Sequence, residues 1–193
     1  MRAWLQAAAV AAAVALNVGA QAQPVELEGQ KFEPTVQVGG QTLTLNGVGL
    51  RKRAIFKVYL NGLYVPQKST DAAILINEKG SRRASLRMLR DVDADSFVSA
   101  FTDGLKNNLS EAQLAALKPQ IDAFTATMKS VGEAKKGDVI NFDYAPDGGT
   151  RITVNGQPRG NPIPGHDFYA AVMRIWLGDK PVDEGLKKGM LGG

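Results

Sequence analysis

Residues 47–64 read GVGLRKRAIFKVYLNGLY, and the alternation within them decides the fold class. At the two-residue period of a strand, Arg51, Arg53, Ile55, Lys57 and Tyr59 share one face, and Leu50, Ala54, Phe56, Val58 and Leu60 take the other. The second set has the pattern of a core face. The first puts cations and a phenol among apolar neighbours. Two readings fit it. One is a solvated outer face; the other is an arginine at a cleft, where its planar fork holds a carboxylate or phenolate through paired hydrogen bonds. On a straight strand Arg51 and Tyr59 would stand roughly 26 Å apart at ~3.3 Å per residue. They serve one ligand only if the chain bends between them or the ligand is long.

Upstream, Thr35 to Leu45 alternates around Gly39-Gly40, the pattern of two strands joined by a tight hairpin. Downstream, Arg83 to Arg90 reads as a further strand. The period then changes. Asp93 or Asp95 can cap a helix whose Phe97, Phe101 and Leu105 fall on one stripe. Ser110 with Gln113 is a capping-box pattern, followed by an apolar stripe of Leu114, Leu117, Ile121, Phe124 and Met128. Pro119 lies inside that stripe, which predicts a kink or two abutting helices. Strand character returns at Asp138–Tyr144 and Thr150–Val154, with Asn155-Gly156 as a turn signal. Asp167 to Leu177 is helical, Gly178 stops it, and Asp183 to Lys188 adds a last turn. Strands, helices, strands, helix in that order predict an α+β domain, with a large antiparallel sheet and a layer of helices on one face.

The 193 residues are 44% hydrophobic, enough for one sizeable core. A formal charge of +4 with no long block of one sign reads as solubility, not as a nucleic-acid surface. With no cysteine, the chain forms no disulfide and has no thiolate ligand or nucleophile. Met1-Arg2, an alanine-rich apolar run from Leu5 to Val18 and Ala20-Gln21-Ala22 have the parts of a secretory signal. Residues 1–22 are therefore expected to be cleaved, leaving a single domain over 23–193. The alanine-rich signal ending in Ala-Gln-Ala suggests a bacterial periplasm. No later stretch is apolar and long enough to span a membrane.

Most catalytic and cofactor motifs are missing. Gly47-x-Gly49 lacks the third glycine and following helix of a dinucleotide loop, and no phosphate loop, His-Glu-x-x-His or Gly-x-Ser-x-Gly occurs. His166 is the only histidine, so no histidine-rich metal site forms, and neither a metal nor a cofactor is expected. Asp91, Asp93 and Asp95 lack the glycine and closing glutamate of a calcium loop and suit helix capping instead. Asn108-Leu-Ser110 is a formal glycosylation sequon, but Ser110 reads better as a cap.

Gly47-Val-Gly-Leu-Arg51, Phe56-Lys-Val-Tyr59 and Gly62-Leu-Tyr64 together resemble the signature of the chalcone isomerase-like family. Val172 to Gly178, with Pro181 and Leu186-Lys187, is similar to the family's last helix. The resemblance implies a large antiparallel sheet with helices on one side and a ligand cleft between. It places on Arg51 the arginine that faces the flavonoid in plant enzymes and pairs with a fatty-acid carboxylate in plastid relatives. On Tyr59 it places a residue that is tyrosine in the fatty-acid-binding branch and threonine in the isomerases. The isomerases' helical tyrosine and asparagine fall on Ser96 (or Phe97) and Asp103 (or Gly104), and a polar residue of the last helix falls on Ile175, so these contacts are lost.

Three functions follow from this. The first is a noncatalytic binder of a small hydrophobic carboxylate such as a fatty acid, with Arg51 and Tyr59 as ligand-binding residues. The second is an intramolecular lyase of the chalcone isomerase type, with Arg51 as its catalytic residue. The third is a scaffold for a protein partner, in which Arg51 is structural.

Overall fold

The computed structural model describes residues 23–193; the expected signal at 1–22 lies outside them. Nine strands and six helices follow in the order β1 (Val25–Leu27), β2 (Gln30–Phe32), β3 (Thr35–Val38), β4 (Gln41–Arg53), β5 (Phe56–Val65), α1 (Ala72–Asn77), β6 (Arg82–Met88), α2 (Ala94–Asn108), α3 (Glu111–Ala116), α4 (Lys118–Val131), β7 (Val139–Ala145), β8 (Gly149–Val154), β9 (Gln157–Ile163), α5 (His166–Leu177) and α6 (Glu184–Met190). Strands β3 to β9 form one seven-stranded sheet in sequence order, every neighbouring pair antiparallel. The connections are local hairpins except where helices intervene, so the α+β layering expected from the element order is present.

Local chemistry accounts for the joints. Gly39 and Gly40 both take positive φ, 56° and 77°, in the tight turn between β3 and β4. Asp93 accepts from the Ser96 N–H to cap α2, and Ser110 and Gln113 form the reciprocal box that starts α3. Pro119 stands in the first turn of α4, where its missing N–H costs no helical bond, and α3 and α4 abut there as separate helices. Two of the three aspartates serve backbone groups: besides the Asp93 cap, Asp91 accepts from the Lys136 N–H at 2.7 Å, while Asp95 lies in the first turn of α2.

The larger core lies between the sheet and the helices. Leu63, Leu86, Met88, Ile140, Phe142, Ile152 and Val154 meet Phe101, Leu105, Phe124 and Met128, with Phe101 and Phe124 stacked 4.0 Å apart. Helix α5 is buried almost all round, which makes it the central helix of this layer. Each large side chain hidden here stabilises the fold by about 1.5–3 kcal/mol relative to exposure. A smaller cluster on the opposite face joins Phe32, Leu43, Leu45, Leu60 and Tyr64. The β1–β2 hairpin supplies Phe32 to it. These two strands and α1 carry too few residues for a sequence period to register, and none was foreseen.

One expectation fails. The alternation across residues 47–64 is not one straight strand, because Ala54 and Ile55 form a two-residue turn between β4 and β5. Ala54 takes φ 53°, a conformation usually left to glycine. The assigned faces change with it. Leu60 is buried and Leu50 packs beneath it, but Ala54 and Phe56 are exposed. Lys57 leaves the Arg51 set to bind Glu28 in the β1–β2 turn at 2.7 Å.

Candidate functional site

The hairpin brings Arg51 and Tyr59 together. They are direct cross-strand partners, and a bulge follows at once, since Lys52 pairs with Lys57 and leaves Val58 unopposed. The separation expected on a straight strand collapses to the ~5 Å between Cβ atoms of opposed residues. Both side chains lie on the helix-covered face.

The signature glycines explain why α6 can lie there. A Cβ on Gly49 would stand 2.1 Å from the Leu186 carbonyl oxygen, and one on Gly47 would stand 2.2 Å from that of Gly189. Strand β4 thus meets α6 backbone to backbone. Gly62 serves the other face, where a Cβ would meet the Phe32 ring at 2.5 Å. Gly47-x-Gly49 is a packing surface for a helix, and no phosphate cradle.

This docking places Asp183, the N-cap of α6, beside Arg51. Its Oδ2 lies 3.7 Å from Arg51 Nη1 and accepts from the Lys52 N–H at 2.9 Å, while Oδ1 accepts from the Leu186 N–H at 2.9 Å. Burial alone would raise the Asp183 pKa, but the Leu186 and Lys52 N–H groups and the Arg51 charge outweigh it and hold the carboxyl below its ordinary value. Arg51 also donates to the Lys52 carbonyl.

On the other side of the pair, the Tyr59 hydroxyl accepts from Trp176 Nε1 of α5 at 2.9 Å. Its own proton therefore remains to be donated. Burial pushes the Tyr59 pKa up, against the smaller lowering effects of Trp176 and Arg51, so the phenol stays protonated at neutral pH. Two residues along the same face of β5, Asn61 is fully buried with neither amide atom hydrogen-bonded. Sequence reasoning missed it. The signal was available, as an amide inside the otherwise apolar stripe of Leu63 and Val65.

The remaining predicted positions do not join this group. Ser96 donates its hydroxyl to Asp93 at the start of α2, Phe97 packs on the core, and Asp103 is exposed. Gly104 lets α2 approach Ile175 of α5, where a Cβ would stand 2.7 Å from Ile175 Cγ2. His166 opens α5, with Nε2 2.9 Å from the Glu78 carbonyl, and its ring meets Tyr144 edge-on at 5.8 Å. Among the described residues no cluster of acidic and histidine side chains is arranged to hold a metal ion. No described helix is long and apolar enough to cross a membrane. Two surface depressions flank the hairpin and α6, of about 340 and 280 Å³. The first is lined by Thr70, Glu184, Lys187 and Leu191, the second by Glu28, Lys57, Met88 and Lys136, and neither by Arg51 or Tyr59.

The arrangement suits an anion. A guanidinium that already meets one carboxylate and a phenol with a free proton converge on one face, bordered by apolar core.

Comparison with known proteins agrees with the architecture. The family model described as chalcone isomerase-like matches residues 24–192. No curated protein matches the chain. Among solved structures, a fatty-acid binding protein of Arabidopsis thaliana superposes with a TM-score of 0.70 at 17% identity, over 88% of this chain and 96% of that one. At that identity the likeness speaks for the fold.

Proposed function

The chain belongs to the chalcone isomerase-like family, and from that premise we propose that it is a noncatalytic binder of a small hydrophobic carboxylate such as a fatty acid. One observation carries the reading: Arg51 and Tyr59 are opposed across β4 and β5, and Arg51 already faces a carboxylate, that of Asp183. A ligand carboxylate would take the place of Asp183 at the guanidinium and accept the free Tyr59 proton. Its chain would run between sheet and helices, where the side chains are apolar. The fatty-acid binding named for the Arabidopsis protein supports the same ligand class. Export to the periplasm belongs to the proposal and rests on the signal-like residues 1–22.

Native mass spectrometry of the purified protein, with thermal melts in the presence of saturated fatty acids, tests the ligand. Copurifying carboxylate, or a melting temperature that rises with ligand and stops rising in Arg51→Ala, is the expected result. Ligand-free protein with no shift would overturn it.

A further inference from the structure

The tip of the β4–β5 hairpin combines two features that a hairpin in water normally avoids. Its turn residues are Ala54 and Ile55, where Asn-Gly or a similar polar pair is usual. Ile55 is 88% exposed and its neighbour Phe56 52% exposed. Among the described residues the other exposed large apolar side chains, Val25 in β1 and Ile74 in α1, lie in different elements. Around this apolar pair, Lys52, Arg53 and Arg90 are exposed, and none has a carboxylate within ion-pair distance among the described residues. Two acids near the hairpin are already engaged, Asp183 by Arg51 and the Lys52 N–H and Glu28 by Lys57. Arg90 lies over the Phe56 ring, its Cζ 4.6 Å from the centroid.

We propose that this tip docks on the surface of an anionic lipid bilayer, Ile55 and Phe56 entering the headgroup boundary and Lys52, Arg53 and Arg90 meeting lipid phosphates. Apolar side chains ringed by cations are the composition of an interfacial anchor, in which apolar burial and attraction to anionic lipid act together. The stacked Arg90 suits both parts, since its guanidinium can remain at the headgroups while the ring beneath it sinks. A two-residue turn reaches only a shallow depth, so contact is peripheral and reversible. Arg51 stands at the base of this finger, which sets the proposed carboxylate site close to the surface from which an acyl ligand would come. The docking itself rests on the tip alone, and vesicles without free fatty acid test it separately from ligand binding.

The test is co-sedimentation of residues 23–193, which hold every described strand and helix, with vesicles of phosphatidylcholine alone or with about 30% phosphatidylglycerol. The expected result is at least about fivefold more protein pelleted with the anionic vesicles, lost in about 0.5 M salt as charge is screened. The double variant Ile55→Ser, Phe56→Ser should lower the pelleted fraction by about fivefold while keeping the wild-type melting temperature, because neither side chain is in the core. Ile55→Trp should bind and shift its emission to the blue on contact with the same vesicles. Protein that stays in the supernatant, a double variant that pellets like wild type, or an Ile55→Trp emission unmoved by anionic vesicles would each overturn the proposal. The first of these is also what a tip built for a protein partner would give.

Discussion

Arg51 and Tyr59 face each other across β4 and β5, and Trp176 of α5 secures the pair by donating its indole N–H to the Tyr59 hydroxyl at 2.9 Å. Removing that oxygen leaves a buried N–H without its acceptor. Tyr59→Phe should therefore lose about 1–3 kcal/mol of stability, read from urea unfolding with an unchanged slope. If the pair binds carboxylates, fatty-acid thermal shifts should also shrink in this variant.

Asp183 is the internal rival of any ligand carboxylate at Arg51. Asp183→Asn keeps the shape and removes the charge, so affinity for a fatty acid should rise by several-fold in a fluorescent-displacement titration. The amide oxygen can still accept from the Leu186 N–H and keep the helix cap, while the exposed Lys52 N–H exchanges its acceptor for water, so the stability loss should stay within the about 0.5–2 kcal/mol typical of a lost N-cap. Weaker binding by this variant would show that Arg51 needs Asp183 to hold it in place.

The same carboxylate sets a pH dependence. Its pKa is held below the ordinary value in the folded protein, so folding favours the ionised form. That stability is present above the unfolded-state value of about 3.9 and is lost as pH falls through the folded pKa. The melting temperature of wild type should drop more steeply than that of Asp183→Asn across this acid range. Parallel curves would remove Asp183 from the account.

How far the sequence carried the reading depends on what each signal was made of. The meander, the helix caps and the Pro119 break were legible because glycine pairs, hydroxyl caps and proline act locally. The Arg51–Tyr59 neighbourhood was not. Its turn is made by Ala54 and Ile55, neither a turn former, and alternation runs on through them as if the strand continued. Counting along an unbroken strand then put the two residues far apart, when a hairpin puts them side by side. Asp183 was beyond reach for another reason: only docking α6 on the glycines of β4 brings it to Arg51, and no local pattern encodes that contact.

Those glycines give a direct mutational test. Gly49→Ala places a methyl group where the Leu186 carbonyl oxygen already stands, and backbone on both sides cannot yield as a flexible side chain would. The substitution should cost about 1–3 kcal/mol or more. Limited proteolysis should then cut faster between Gly178 and Met190 as α6 lifts, with the seven-stranded sheet still intact by circular dichroism.

Asn61 carries the last prediction. It is fully buried on the face that holds Tyr59, its amide nitrogen and oxygen have no partner, and its cross-strand neighbours are Gly49 and Leu86. A buried polar group left in this state costs about 1–3 kcal/mol. Asn61→Leu, close in volume and free of that cost, should raise the unfolding free energy of the ligand-free protein by a similar amount. A ligand that reaches the Arg51–Tyr59 face would give the amide the partner it lacks, so the same variant should bind fatty acid less well while being more stable. Urea unfolding and a binding titration on one preparation separate these effects. A less stable Asn61→Leu would mean that ordered water already satisfies the amide, and the site would then be a hydrated one.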